Sequence, residues 1–178
     1  MIPSILLISG SVRAGSVNAA VLATAADLVR APFVTSTYGG LDGLPHFNPD
    51  LDHDPLPLKV TELRAAVRDA SALLFSTPEY AGAMPGALKN LLEWTIGGVE
   101  ISDKPTGWIN PSTNPLRAEK TFTSLATVLG YTGAILVDGA CVDVPVGRQM
   151  IDADGLVRDE MVRHAISQAI GALTQAIV

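Results

Sequence analysis

Short apolar runs alternate with longer helical patterns along the whole chain, and this alternation constrains the fold more than any other feature. Four runs are nearly continuous in apolar residues and are bounded by turn residues, namely 4–9, 72–76, 105–110 and 133–139. Such runs are typical of strands in a parallel sheet with helices on both faces. A weaker fifth run, residues 33–37, is rich in β-branched residues, which favour strands.

The segments between these runs have helical periodicity. They predict helices at residues 16–30, 56–69, 86–96 and 118–129, and a last helix whose apolar residues recur at helical spacing from Leu156 to Ile177. Five strands separated by helices predict an α/β fold with a doubly wound parallel sheet. The length of 178 residues suits one domain and no linker divides the chain, so residues 1–178 are expected to form a single domain.

Composition and charge exclude several classes of protein. A net charge of −6 without any Lys/Arg cluster predicts no nucleic-acid partner, because neutralising phosphates requires clustered positive charge. Cys141 is the single cysteine, so no internal disulfide can form and a reducing compartment is expected. It follows the last predicted strand without a basic neighbour, which predicts a structural role. The first apolar run is too short for a signal peptide or a membrane span, so we expect a cytoplasmic protein.

The loop between the first strand and the first helix reads GSVRAGSVN, residues 10–18. A glycine-rich turn between strand and helix directs backbone N–H groups and a helix dipole at an anion. Val12 stands where a dinucleotide fingerprint needs glycine, and Ser16 and Val17 replace the Lys and hydroxyl of a P-loop. Donors suited to one terminal phosphate remain, namely Ser9, Ser11, Arg13, Ser16 and Asn18. An ordinary turn with Ser16 as N-cap is the alternative.

A second distinctive stretch, residues 76–94, follows the third predicted strand. In a flavodoxin-like sheet of order 2-1-3-4-5, strands 1 and 3 flank the point where the strand order reverses, and ligands bind there. The loops after strands 1 and 3 are the two distinctive loops of this sequence. A ligand with one phosphate and a large apolar ring matches both.

These two stretches resemble motifs of the NAD(P)H-dependent FMN reductases, a family of flavodoxin-like fold that includes bacterial chromate, quinone and azo-dye reductases. GSVRAGSVN is similar to the family's G-S-x-R-x-x-S-x-N, and TPEYAGAMPGALKNLLEW to its T-P-E-Y-x-x-x-x-P-G-x-L-K-N-x-x-D-W. LPHFNPDLD (residues 44–52) and KPTGWINPS (residues 104–112) look like weaker family segments. The resemblance covers nearly the whole chain and implies a five-stranded parallel sheet with helices on both faces.

The resemblance implies bound FMN, with NADPH or NADH as co-substrate and a quinone, free flavin or similar small molecule as electron acceptor. The flavin N5 would take the hydride, so no side chain is predicted to be catalytic. Tyr80 is interpreted either as stacking beside the substrate or as a core aromatic. The residues implied to bind the phosphate are Ser9, Ser11, Arg13, Ser16, Val17 and Asn18. Those implied to contact the ring are Pro78, Glu79, Tyr80 and Ala81, together with Asn110 and Ser112 after the fourth strand.

The helix that carries Lys89, Asn90 and Trp94 helps to form a dimer interface in the family, which implies a homodimer or a dimer of dimers. Two departures from the family pattern predict changed contacts with the ring. Ala81 stands where many members have Asn, and residues 111–115 read PSTNP where the family has a glycine-rich loop.

The residues present leave two other functions open and argue against several more. A flavodoxin-type electron carrier and a non-catalytic relative that acts through protein contacts stay open as alternatives. A hydrolase lacks its G-x-S-x-G motif, and an NTPase lacks its Lys. The loop of residues 38–57 has histidines and aspartates without a recognised ligand spacing, so it predicts a solvated acidic loop and no metal site. Residues 152–155, DADG, are expected to be a plain turn.

Overall fold

A computed structural model describes residues 2–114 and 118–177 and contains one five-stranded sheet in that part of the chain. All neighbouring strands are parallel and their order is β2-β1-β3-β4-β5, as predicted. The strands are β1 (Ser4–Ser9), β2 (Val34–Tyr38), β3 (Ala72–Ser76), β4 (Pro105–Asn110) and β5 (Ile135–Asp143). β1, β3 and β4 have the predicted bounds, because each is an apolar run buried between two layers of helices.

Helices cover both faces of the sheet, which confirms the doubly wound architecture. They are α1 (Val17–Leu28), α2 (Leu58–Asp69), α3 (Gly86–Glu93), α4 (Glu119–Tyr131) and α5 (Glu160–Gln175). One apolar core packs α1 and α5 against the sheet, and a second core packs α2, α3 and α4 against the other face. Every residue of β3 is buried, because this strand lies at the centre of the sheet between both cores.

The end of β5 is the main correction to the predicted fold. The run at 133–139 predicted a strand that ends at Gly139, whereas β5 continues to Asp143. Gly139 lies inside the strand, where a Cβ atom would come within 2.9 Å of the Cβ of Ala172 on α5. Glycine therefore lets α5 pack closely on β5 instead of ending the strand. Cys141 lies within β5 rather than after it, and burial raises the pKa of its thiol to about 11.

Two helix starts show how side chains decide where a helix begins. Ser16 precedes α1 and its Oγ accepts a hydrogen bond from the N–H of Ala19 at 3.1 Å, which confirms the predicted N-cap. Asp159 precedes α5 and accepts from the N–H of Val162 at 3.1 Å. The periodic pattern from Leu156 therefore begins before the helix does.

The long loop between β2 and α2 is bonded to α3 instead of extending into solvent. The carbonyl oxygen of Pro45 accepts from Asn90 Nδ2 at 2.9 Å and from Trp94 Nε1 at 2.8 Å. The N–H of Phe47 donates to Asn90 Oδ1 at 2.7 Å, and its ring meets Trp94 edge-on with centroids 5.0 Å apart. Two family segments, residues 44–52 and the α3 motif, are thus parts of one contact.

The interpretation of this loop as a solvated acidic loop is wrong for one residue. Asp52 is largely buried and its Oδ1 accepts from Arg64 Nη2 of α2 at 2.6 Å, while Arg64 Nε donates to the carbonyl of Trp94 at 2.9 Å. Asp50 and Asp54 are exposed, as expected. Within residues 2–114 and 118–177, no group of three or more His, Cys, Asp or Glu side chains could hold a metal ion.

Candidate functional site

The loop between β1 and α1 is shaped by its own serines. Ser9 Oγ accepts from the N–H of Ser11 at 3.2 Å, and Ser11 Oγ accepts from the N–H of Arg13 at 3.3 Å. Each bond closes a small side-chain-to-backbone turn of the kind that serines favour in loops. Ser9 and Ser11 therefore set the course of the backbone toward α1, whatever else their hydroxyls bind.

The start of α1 presents a set of unused donors. Ser16 bonds the third and fourth N–H groups of this end, through its Oγ to Ala19 and through its carbonyl to Ala20. In the described residues, the N–H groups of Val17 and Asn18 have no protein acceptor, nor has the exposed guanidinium of Arg13. Free N–H groups at a helix N-terminus and an unpaired guanidinium suit a phosphate group.

The loop between β1 and α1 is joined directly to the end of β3. The N–H of Gly10 donates to the carbonyl of Ser76 at 2.9 Å, and Ser76 Oγ donates to Asn18 Oδ1 at 3.0 Å. A Cβ atom on Gly10 would lie 2.1 Å from Thr77 Oγ1, so only glycine fits at that point. Asn18 was predicted to bind the phosphate; its Oδ1 is used by Ser76, which leaves its amide N–H groups as the donors for a ligand.

The segment after β3 forms a tight two-residue turn. The N–H of Tyr80 donates to the carbonyl of Ala83 at 2.9 Å, and the reverse bond measures 3.1 Å. Ala81 and Gly82 both have positive φ, 52° and 76°, as in a type I′ turn. Tyr80 is 56% exposed, so its interpretation as a core aromatic is wrong.

The positive φ of Ala81 makes the departure from Asn unfavourable for the backbone. Asn adopts the left-handed conformation more easily than alanine, because its short polar side chain can bond the local backbone. We expect Ala81→Asn to stabilise the protein by about 0.5–1 kcal/mol, and therefore to raise its melting temperature by about 1–4 °C. Thermal unfolding of the flavin-free protein checks this. Ala83→Asn, at a residue without positive φ, is the matched control and should give no gain.

The loop after β4 is closed by hydrogen bonds of its own side chains. Asn110 Nδ2 donates to Asp143 Oδ1 at 2.7 Å, and Asn110 Oδ1 accepts from the N–H of Ser112 at 3.0 Å. Ser112 Oγ in turn donates to the carbonyl of Asn114 at 3.0 Å. These bonds use most of the hydrogen-bonding groups of the Asn110 side chain, so its main role is to shape the loop. One amide hydrogen remains for a ligand. Pro115, the last residue of the departure from the family pattern, lies outside the described residues.

These loops surround a cleft of about 640 Å³ at the carboxyl edge of the sheet. Its lining is Val17, Asn18, Thr77, Pro78, Glu79, Asn110, Pro111, Ser112, Thr113, Ala118, Val146, Gly147, Arg148 and Gln149. Six predicted site residues are in this lining, namely Val17, Asn18, Pro78, Glu79, Asn110 and Ser112. The other six lie outside the lining, namely Ser9, Ser11, Arg13, Ser16, Tyr80 and Ala81. Of these, Ser16 and Tyr80 are next to lining residues in the chain, and Ser9, Ser11 and Arg13 belong to the loop that leads to Val17.

One wall of the cleft, residues 146–149, was not predicted from the sequence. This segment continues the direction of β5 along the β4 loop, since the N–H of Val144 donates to the Asn110 carbonyl at 2.8 Å and that of Val146 to the Pro111 carbonyl at 3.1 Å. Ends of parallel strands meet at one edge of a sheet, so the segment after β5 was a candidate in principle. Residues 146–149 were not considered because the strand was predicted to end at Gly139, four residues before the end of β5.

Glu79 provides a test of whether a flavin nucleotide fits this cleft. Its Oε2 is buried and has no hydrogen-bond partner in the described part of the chain. A buried acceptor without a donor is costly, which favours a ligand that supplies one. FMN has hydroxyl groups on its ribityl chain and an N–H on its ring, while its phosphate suits the donors at the start of α1. The residues present therefore fit FMN.

The chain matches one protein family and is similar to several named reductases. The family of NADPH-dependent FMN reductases matches residues 3–149. The chain is 32% identical over 171 residues to an NAD(P)H-dependent FMN reductase of Pseudomonas aeruginosa, covering 95% of this chain and 92% of the relative. It is 29% identical over 162 residues to a 2-hydroxy-1,4-benzoquinone reductase of a Burkholderia species, covering 89% and 87%. Its fold is similar to that of FerB, a flavoenzyme NAD(P)H:(acceptor) oxidoreductase from Paracoccus denitrificans, with a TM-score of 0.82 and 24% identity over 99% of this chain and 97% of FerB.

Proposed function

This chain belongs to the NADPH-dependent FMN reductase family, and we propose that the small molecule to which it passes electrons is a quinone. The chain is an FMN-dependent NAD(P)H oxidoreductase. The quinone is supported by the relative named 2-hydroxy-1,4-benzoquinone reductase, which matches along most of both chains. It is also supported by Tyr80, which is 56% exposed beside the cleft and offers an aromatic face on which a flat ring can stack.

The proposed placement of FMN follows the distribution of donors. Its phosphate lies at the start of α1, where the N–H groups of Val17 and Asn18 and the hydroxyls of Ser11 and Ser16 can donate. Arg13 adds a guanidinium that can bond two phosphate oxygens at once. The ring lies against the turn after β3 and the loop after β4, in contact with Pro78, Glu79, Tyr80, Ala81, Asn110 and Ser112.

The chain's part in the reaction is to hold and orient, because FMN when bound supplies the acceptance of a hydride and the delivery of two electrons. Pro78 has no N–H, and the N–H of Tyr80 is bonded to Ala83. The N–H groups of Glu79, Ala81 and Gly82 have no acceptor in the described residues and are therefore the donors that the turn offers to the ring. Fixed donors aimed at a site of developing negative charge stabilise that charge without reorganisation.

An experiment with three stages tests the proposed function. Purified protein is titrated with FMN, then reduced with NADPH without oxygen, and then mixed with 1,4-benzoquinone. We expect the flavin absorbance to be lost on reduction. It should return within the mixing time when the quinone is added. Slow return with quinone and fast return with a reducible protein partner would support a flavodoxin-type electron carrier instead. Absence of FMN uptake would support a non-catalytic relative.

We also propose a homodimer formed at the α3 side of the protein. Two large apolar side chains that follow α3 are exposed, Ile96 at 53% and Val99 at 82%, and apolar patches of this kind mark interaction surfaces. Light scattering of the purified protein checks the oligomeric state.

A single domain over residues 1–178, a cytoplasmic location and the lack of a nucleic-acid partner remain proposals, supported by the acidic charge and the single cysteine. None of the helices in the described residues is long and apolar enough to cross a membrane.

A further inference from the structure

The arginines in the described part of the chain divide into two groups by their partners. Each member of the larger group bonds a protein carbonyl or carboxylate, namely Arg30, Arg64, Arg68, Arg158 and Arg163. Within residues 2–114 and 118–177, Arg13 and Arg148 are the arginines whose guanidinium groups have no such bond. The chain has 18 acidic residues against 12 basic ones. A shortage of carboxylates therefore does not explain why an arginine has no partner. Both unpaired arginines lie at the carboxyl edge of the sheet, where the ligands of this fold bind.

Arg148 is exposed and lines the same cleft as Val17 and Asn18. Its backbone is held firmly. The N–H of Met150 donates to the Gly147 carbonyl at 3.0 Å, and the N–H of Ile151 donates to the carbonyl of Arg148 itself at 3.2 Å. Local structure therefore fixes the main chain from which the Arg148 side chain extends, while the guanidinium stays available to a ligand.

A short hairpin anchors this wall of the cleft to α1. Ile151 and Val157 form an antiparallel bridge, and the N–H of Val157 donates to Thr24 Oγ1 of α1 at 2.9 Å. The DADG turn, expected to be a plain turn, closes this hairpin: Arg158 bonds Asp152, whose Oδ1 accepts from the N–H of Leu156 at 2.9 Å. Arg158 is shared between the turn's two acids, since its Nη2 also lies 3.7 Å from Asp154 Oδ2. Within the described residues, the guanidinium of Arg148 is paired with neither of them.

We propose that Arg148 binds a phosphate group of the reduced nicotinamide dinucleotide. The inference rests on the proposed placement of FMN, whose one phosphate is already matched by Arg13 and the start of α1. A further unpaired guanidinium, this one in the lining of the cleft itself, calls for a second anion, and the dinucleotide is the substrate that brings phosphate groups. The neighbouring Gln149 can add an amide donor. The phosphate is either the 2′-phosphate of NADPH or the pyrophosphate shared by NADPH and NADH.

The test measures equilibrium binding of NADP⁺ and NAD⁺ to the FMN-loaded protein by calorimetry, for wild type and Arg148→Ala. Loss of one charged hydrogen-bonding group is expected to weaken binding roughly tenfold to hundredfold. A loss confined to NADP⁺ assigns Arg148 to the 2′-phosphate, and an equal loss for both assigns it to the pyrophosphate. Arg148→Lys should retain part of the affinity, since it keeps the charge without the two-point geometry. Arg68→Ala, at an exposed arginine of α2, is the control and should bind both nucleotides as wild type does.

Two results would overturn the assignment while leaving the proposed function intact. One is unchanged binding of both nucleotides by Arg148→Ala. The other is weaker uptake of FMN with unchanged uptake of riboflavin, which would place Arg148 on the flavin phosphate instead. A wild-type protein that takes up no FMN would overturn the proposed function itself, and the FMN titration that precedes calorimetry separates that failure from the others.

Discussion

Replacing Arg64 with methionine is expected to lower the free energy of unfolding by about 3–5 kcal/mol, because it leaves a buried carboxylate without its partner. The side chains of Arg64 and Asp52 are only 11% and 13% exposed, and their charged atoms are 2.6 Å apart. Arg64 also donates to the Trp94 carbonyl, so the same side chain joins α2, the long loop and the end of α3. Methionine keeps most of the aliphatic volume, so the expected loss reflects the ion pair and the bond to Trp94 rather than packing. Urea unfolding measures the change.

The same helix offers a matched control. Lys59 pairs with Glu62 at 2.8 Å, but both side chains are about half exposed, at 51% and 49%. Solvent weakens such a pair, so Lys59→Met should change the stability by less than about 1 kcal/mol. Adding Asp52→Asn to Arg64→Met removes the orphaned charge and should recover part of the loss. If Arg64→Met costs no more than Lys59→Met, the pair does not hold the loop to the helices.

Replacing Arg13 with alanine is expected to weaken FMN binding by about 1.5–3 kcal/mol, the range for hydrogen bonds to charged groups. The reason is that the Arg13 guanidinium has no partner within the described residues and belongs to the same loop as the free N–H groups of Val17 and Asn18. Riboflavin has the same ring and ribityl chain without the phosphate, so its affinity should barely change. Titration of the flavin-free protein with each flavin, followed by fluorescence, gives both constants.

Arg30→Ala is the control for Arg13→Ala. Arg30 is an exposed arginine beyond α1 that bonds the carbonyl oxygens of Asp27 and Val29, away from the loop. It tests whether loss of any positive charge near α1 weakens the binding of an anionic ligand. Equal losses for FMN and riboflavin in Arg13→Ala would show that the residue shapes the loop and does not bind the phosphate.

Much of this fold was predictable because its signals are local in sequence. β1, β3 and β4 are apolar runs ended by Gly, Pro or polar residues, and burial between two helical layers leaves little choice about their bounds. The loop before α1 was predictable for the same reason, since Ser16 caps the helix three residues ahead of Ala19. Motif order then placed the loops after β1 and β3 at one edge of the sheet.

The features that sequence reasoning missed depend on contacts between distant residues. Gly139 was interpreted as the end of a strand, but it marks a close approach of α5, which no local pattern records. The pairing of Asp52 with Arg64, and the contact of Asn90 with the loop before it, join residues far apart in the chain. Arg148 was missed in consequence of the first error, because the strand that carries it to the cleft ran further than predicted.

The bond between Gly10 and Ser76, with Thr77 pressed against the glycine, has a consequence for ligand choice. The segment proposed to hold the phosphate and the segment proposed to contact the ring cannot move apart. On this proposal, the protein therefore selects for the length of the spacer between phosphate and ring. We expect a synthetic analogue with a shorter or longer polyol spacer to satisfy one end only. Discrimination among flavins would then come from the fixed separation of these two segments as much as from any single side chain.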